Sequence, residues 1–140
     1  MRIVIVGGGA IGRLFGSFLV RGGHAITLID IDHTTLGAIQ EKGIGLVAKN
    51  GEQVEGEHAF PMHALPSADS LTEADLVLLL VKSQATLAAV KDVAHLINGS
   101  CPLLSIQAGL GNLEVAERIV PRQDILLGIT FMSGTALSDA

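Results

Sequence analysis

The sequence predicts an α/β fold: a doubly wound, mostly parallel sheet with helices on both faces. Three observations predict it. Short apolar runs alternate with helix-spaced patterns along nearly all of the chain, the order a parallel sheet with crossover helices requires. The run at 76–81 (LVLLLV) is apolar without interruption, as a strand buried on both faces must be. A glycine cluster, Gly7 to Gly9, falls where the first strand pattern ends and the first helix pattern begins.

The elements follow in order. Residues 2–6 (RIVIV) are β-branched and read as a buried strand. From 10 to 20 the residues Ile11, Leu14, Phe15, Phe18 and Leu19 recur at helical spacing, and Gly22 and Gly23 end that helix. Residues 25–29 form a second strand closed by Asp30. Asp32 or Thr34 caps a helix running to about Lys42, with Gly43 as its stop. Residues 45–48 and 53–55 flank Asn50-Gly51 and predict a small β-hairpin insertion. A short strand is expected at 58–60, then a loop holding Pro61 and Pro66. Residues 75–81 are a central strand. Ser83 caps a helix to Leu96, with Leu87, Val90, Val93 and Ile97 on one side. Residues 103–106 are a strand, 112–120 a helix and 125–131 a last strand.

Composition bounds the rest. The chain has 140 residues, 49% hydrophobic, which is enough for one self-supporting core spanning 1–140. No Trp or Tyr, four Phe and a net charge of −5 disfavour nucleic-acid binding. The single cysteine, Cys101, excludes an internal disulfide framework and a Cys-rich metal site, and the five histidines are scattered. No run is long enough to span a membrane and no cleavable leader precedes the first strand, so a cytoplasmic location is expected. Six acids and no base lie between Lys49 and Lys82, read as a solvated hairpin and loop.

The glycine cluster carries the functional signal. Gly7, Gly9 and Gly12 fit G-x-G-x-x-G, with Ala10 and Ile11 between, in the strand–turn–helix context that makes this string meaningful. Gly7 allows the sharp turn, Gly9 lets backbone approach a pyrophosphate, and Gly12 lets the helix pack closely, with Gly16 extending that face. The helix N-terminus offers its free N–H groups to the phosphates. This is a Rossmann-type dinucleotide site. Asp30, at the end of the second strand, is placed to accept hydrogen bonds from the adenine ribose, with Asp32 the alternative. No Arg or Lys lies between Arg21 and Lys42, so an acid stands where NADP usually meets a cation, and NAD(H) is expected. Lys82 sits at the carboxyl end of a central strand, where open α/β sheets bind ligands. Gln107, Ala108 and Gly109 follow the next strand and could line the nicotinamide side, or form only a tight turn.

These residues together resemble the ketopantoate reductase (2-dehydropantoate 2-reductase) family. Gly7, Gly9, Gly12 and Gly16, followed by RGGH at 21–24, match its opening. VKSQ at 81–84 resembles its Val-Lys step after the fourth strand, QAGLGN at 107–112 its Gln-Asn-Gly-x-Gly-Asn loop, and LGIT at 127–130 its Gly-x-Thr strand. The resemblance covers essentially the whole chain. It implies NADPH-dependent reduction of a small 2-keto acid, ketopantoate, to pantoate, with Lys82 near nicotinamide and substrate. It also implies a second, helical domain that supplies the catalytic lysine and is not among these residues, so no catalytic residue is assigned here. Ala108 stands where the family commonly carries Asn. Two other readings stay open: a different 2-keto-acid or β-hydroxyacid dehydrogenase, and a non-catalytic dinucleotide-sensing module. A flavin domain is also compatible with the opening turn. Apolar surface near 130–137 would favour association as a homodimer.

Overall fold

The structure, a computed structural model, describes residues 1–46 and 59–136. Six strands form one sheet: β1 (Arg2–Val6), β2 (Ala25–Ile29), β3 (His63–Leu65), β4 (Leu76–Leu79), β5 (Leu103–Ser105) and β6 (Ile125–Leu127). Their spatial order is β3-β2-β1-β4-β5-β6, and every pairing is parallel. Four helices connect them: α1 (Ala10–Arg21), α2 (His33–Lys42), α3 (Thr86–Val93) and α4 (Asn112–Ala116). The expected hairpin around Asn50-Gly51 lies outside the described residues.

The pleat of β1 divides the core. Ile3 and Ile5 face one side with Ile26, Leu28, Leu36, Ile39 and Leu78, under α1 and α2. Val4 and Val6 face the other with Val77, Leu79, Val90, Val93 and Leu103, under α3 and α4. Alternate residues thus serve opposite faces, and both faces are covered, which is why β1 and β4 carry no polar side chain between their ends. Removing one such side chain, Ile5→Ala for example, costs about 2–5 kcal/mol on the usual scale for buried truncations.

The helix ends follow local chemistry. The Asp32 carboxylate caps α2 by accepting from the Thr34 N–H at 3.0 Å. It also accepts from the Thr35 hydroxyl at 2.7 Å, and these two bonds hold the acid below the usual carboxylate range. α1 starts at Gly9, which has no side chain to cap it, and ends where the Gly22 and Gly23 N–H groups reach Phe18 and Val20 carbonyls.

Several expected boundaries shift. Of the strand expected at 58–60, residue 58 lies outside the described residues and the rest shows a single antiparallel bridge between Ile44 and Phe60; a strand, β3, forms inside the stretch expected as a loop. Three residues between prolines are too few to show a period, and β3 pairs with β2 alone. β4 ends at Leu79, because the chain turns outward to build the cleft rim. The helix expected at 83–96 begins and ends as 3₁₀ turns, Ser83–Ala85 and Ala94–Leu96. Ser83 does not cap it: its hydroxyl donates to the Ala108 carbonyl at 3.0 Å instead. Leu87 is exposed, and α3 buries Thr86, Ala89, Val90 and Val93. α4 stops at Ala116 and loosens into turns that carry Val120 into the core before Pro121. β6 stops at Leu127, since it has one neighbour and only the Gly128 N–H, bonded to the Ser105 carbonyl, extends the pairing. Of the acids read as solvated, Glu73 and Asp75 pair with Arg2.

Candidate functional site

The strand register levels the carboxyl ends. Ile29, Val6, Leu79, Ser105 and Leu127 are successive partners across the sheet. The residues that follow them therefore share one edge. At the centre of that edge β1 leads to α1 on one face, while β4 leads to α3 on the other. The crevice opened by that divergence is where α/β sheets of this topology hold ligands.

The turn after β1 depends on absent side chains. Gly7 has φ +114°, and a Cβ there would lie 2.9 Å from the Leu80 carbonyl carbon. A Cβ on Gly12 would lie 1.8 Å from the Gly7 carbonyl oxygen, so the first turn of α1 rests directly on the turn backbone. A Cβ on Gly16 would meet the Met62 sulfur at 2.8 Å. Gly9 differs: nothing lies within 4 Å of where its Cβ would be. That position faces open space at a helix N-terminus without a side-chain cap, the cradle a pyrophosphate needs. The residues present fit a dinucleotide.

Asp30 is joined to this turn. Its Oδ2 accepts from the Gly8 N–H at 2.6 Å and its Oδ1 from the Asp32 N–H at 2.9 Å. A carboxylate has about four lone-pair positions, so both oxygens retain acceptor capacity for ribose hydroxyls. Asp32 is committed to capping α2. The structure also brings in a cation that the order of residues hides. Arg13, from α1, donates from Nε to the Gly8 carbonyl at 2.7 Å and from Nη2 to the Thr35 hydroxyl at 3.2 Å. Its only signal in the sequence is its place one turn past Gly9.

Across the crevice lies a cleft of about 470 Å³, lined by Ile11, Leu80, Val81, Lys82, Gln107 and Ala108, with Thr130 and Met132 at one side. Lys82 is exposed on its rim. Gln107 lines the cleft but turns its amide inward, donating from Nε2 to the Val81 carbonyl at 2.8 Å. Ala108 presents only a methyl group, and its carbonyl accepts from Ser83. Gly109 has φ +100°, with the Ser83 hydroxyl 3.0 Å from where a Cβ would stand. Ala10 opens α1 beside Ile11. The expected residues thus form two groups facing each other: Gly7, Gly9, Ala10, Ile11, Gly12 and Asp30 on one rim, Lys82, Gln107, Ala108 and Gly109 on the other.

No group of three or more His, Cys, Asp or Glu among the described residues is arranged to hold a metal. No helix among them is long and apolar enough to cross a membrane. Cys101 is buried, which pushes its thiol up from its ordinary value, and it lies outside both rims.

Comparison with known proteins gives concordant results. The profile of the family described as ketopantoate reductase PanE/ApbA matches residues 3–140. The 2-dehydropantoate 2-reductase of Lactococcus lactis is 32% identical over 130 residues, 93% of this chain and 41% of that protein. That of Pyrococcus abyssi is 38% identical over 112 residues, 80% of this chain and 34% of that protein. The chain thus spans between a third and about two fifths of the length of these curated relatives. Among solved structures, a ternary complex of D-mandelate dehydrogenase with NADH and anilino(oxo)acetate superposes with a TM-score of 0.86 at 27% identity, covering 99% of this chain and 44% of that one. A protein assigned as a 2-dehydropantoate 2-reductase from Enterococcus faecalis superposes at 0.79 with 32% identity, covering 95% of this chain and 42% of that one.

Proposed function

The chain belongs to the ketopantoate reductase family, and from that membership we propose that it is the dinucleotide-binding portion of an NAD(P)-dependent oxidoreductase that reduces a small 2-keto acid, with 2-dehydropantoate as the substrate and pantoate as the product. One observation carries the reading: the open cradle at Gly9 stands across the crevice from the rim that bears Lys82. When bound, the nicotinamide supplies the hydride for the keto carbon. The chain's own residues do the rest of the holding. The turn from Gly7 to Gly12 receives the pyrophosphate through backbone N–H groups. Asp30 accepts from the adenine ribose with the lone pairs that Gly8 and Asp32 leave over. Lys82 offers a cation to the carboxylate or the carbonyl oxygen of a 2-keto acid, and Gln107, Ala108 and Gly109 frame the nicotinamide side.

The proton for the reduced oxygen needs a donor, and none of the described residues is assigned that role. We propose, on the family resemblance, that a helical domain supplies it; the Lactococcus lactis relative is more than twice as long as these 140 residues. We therefore expect these residues to bind cofactor without turning over ketopantoate. Calorimetric titration with NADH and NADPH, beside an activity assay, tests this. Binding without turnover is the expected result, and turnover by this chain alone refutes it. Asp30 favours NADH. Arg13, held beside Thr35 on the same side, is the observation that favours NADPH as the second reading.

A second substrate reading also has a specific support. The NADH-bound D-mandelate dehydrogenase shares the fold at 27% identity, and Ala108 stands where the resemblance expects Asn. Both point to another 2-keto acid, which a substrate panel on the full-length protein separates from ketopantoate. Leu126, Leu127, Ile129 and Phe131 are exposed beside the edge strand β6. That apolar run is the surface for a second domain or, as a homodimer, for a second copy; sedimentation at several concentrations reports the latter. A cytoplasmic location is part of the same reading.

A further inference from the structure

Beneath the floor of the cleft the polar side chains form one connected set. Gln107 Nε2 donates both to the Val81 carbonyl and to Thr86 Oγ1, each at 2.8 Å. The Thr86 hydroxyl donates to Asn112 Oδ1 at 3.2 Å. Asn112 Nδ2 donates to the Ala108 and Gly109 carbonyls at 3.2 and 3.3 Å. Ser105 Oγ donates to Gln107 Oε1 at 3.1 Å.

The proton directions are determined without ambiguity. Backbone carbonyls only accept, so the NH₂ groups of Gln107 and Asn112 must face them. Asn112 Oδ1 can then only accept, so the Thr86 hydroxyl proton points to it. That leaves the Thr86 oxygen to accept from Gln107. Thr86 is fully buried, and Ser105 and Asn112 are nearly so. In such surroundings a satisfied network is stiff, and a broken one leaves unpaired groups with no water to replace the partner.

We propose that Thr86, which is buried and is not among the residues lining the cleft, is the positioning residue of the nicotinamide end: it locks the loop bearing Lys82 to the loop bearing Ala108 at a fixed separation. Residues 81–83 hang from β4 and residues 107–112 from β5. Above the last strand pair, the bonds through Gln107, Thr86, Asn112 and Ser83 are what tie them. None of these bonds reaches the rim formed by Gly7 to Gly12 and Asp30. The network therefore sets the geometry of one end of the crevice and not the other. This inference rests on the reading that the cleft takes the nicotinamide.

Thr86→Val keeps the shape and removes both bonds; Thr86→Ser keeps the hydroxyl. Each is made in the 140-residue chain and titrated with ADP-ribose, and with NADH or NADPH, whichever the unmodified chain holds more tightly. The expected result for Thr86→Val is a dinucleotide Kd raised about fivefold, the scale of one hydrogen bond. Its ADP-ribose Kd is unchanged within about twofold, the fluorescence of the bound reduced nicotinamide moves toward that in water, and Thr86→Ser restores both. If Thr86→Val does not fold, Thr86→Ala, which removes the same two bonds and leaves room for a water, is read in the same way. Wild-type behaviour of Thr86→Val toward both ligands overturns the proposal, and so does an equal loss of both. An unmodified chain that binds neither ligand fails the functional reading, and the proposal falls with it; binding with an indifferent Thr86→Val fails the proposal alone.

Discussion

The two rims of the crevice are built by different means. The rim after β1 and β2 is organised by charge near the surface: Asp30 holds the Gly8 and Asp32 N–H groups, Asp32 caps α2, and Arg13 crosses between Gly8 and Thr35. The rim after β4 and β5 is organised by neutral amides and hydroxyls in the interior. The first arrangement leaves carboxylate acceptors for ribose hydroxyls beside the uncapped N–H groups of α1, which suit a diphosphate. The second hides its polar groups and leaves a shaped cleft with an exposed cation. Under the proposed function, one end holds the constant part of the dinucleotide and the other orients its ring.

The largest effect that tests this contrast comes from glycine. Gly12→Ala puts a methyl group into the Gly7 carbonyl, a backbone atom that cannot move aside. We expect a loss of about 3 kcal/mol or more in urea unfolding, with cofactor binding lost too. Gly9→Ala has space, so its stability should stay within about 0.5–1 kcal/mol of the unmodified chain, near the ordinary Gly-to-Ala range, while nucleotide affinity falls. If Gly9→Ala binds NADH normally, the cradle is misplaced.

Next in size is Asp30→Ala. It removes a charged acceptor from two N–H groups and from the ribose, so ADP-ribose affinity should drop about tenfold or more. Thr86→Val, by contrast, leaves ADP-ribose binding intact. Equal responses of the two variants would erase the distinction between the rims.

The smallest effect is in pH. Asp32 is held below its ordinary value of 3.8 by Thr35 and Thr34, and Asp75 by Arg2. A depressed carboxylate stabilises the folded state fully above that ordinary value and loses its contribution as pH falls through the lowered one. Tm should therefore be flat from about pH 7 to 5 and decline below about 4. Asp32→Asn should flatten part of the decline, whereas Thr86→Val, whose network contains no titratable group, should lower Tm equally across the range.

These regions also differ in how well the sequence displays them. The glycine string and the Asp32 cap are local patterns, and Asp30 is legible as the acid that closes a strand, although its Gly8 partner lies 22 residues back. Arg13 was hidden because its partner Thr35 lies 22 residues on, reached only when α1 and α2 pack on the same face. Thr86 and Asn112 are 26 residues apart and meet only because β4 and β5 run parallel in one register. A threonine in a helix pattern carries no mark of such a partner. β3 was missed for another reason: three residues with one neighbouring strand are too short for alternation to appear.

The crevice itself owes nothing to any single side chain. It exists because the chain leaves β1 toward one face of the sheet and leaves β4 toward the other. Its two walls therefore descend from separate stretches of sequence, joined at the base by the pairing of those strands and by Gly7 against the Leu80 backbone. Substitutions on one wall can accumulate without disturbing the other. Ala108 is an instance: it alters the lining of the cleft while the glycine turn stays in place. Under the proposed function, a fold arranged this way can keep its phosphate cradle while its choice of substrate drifts.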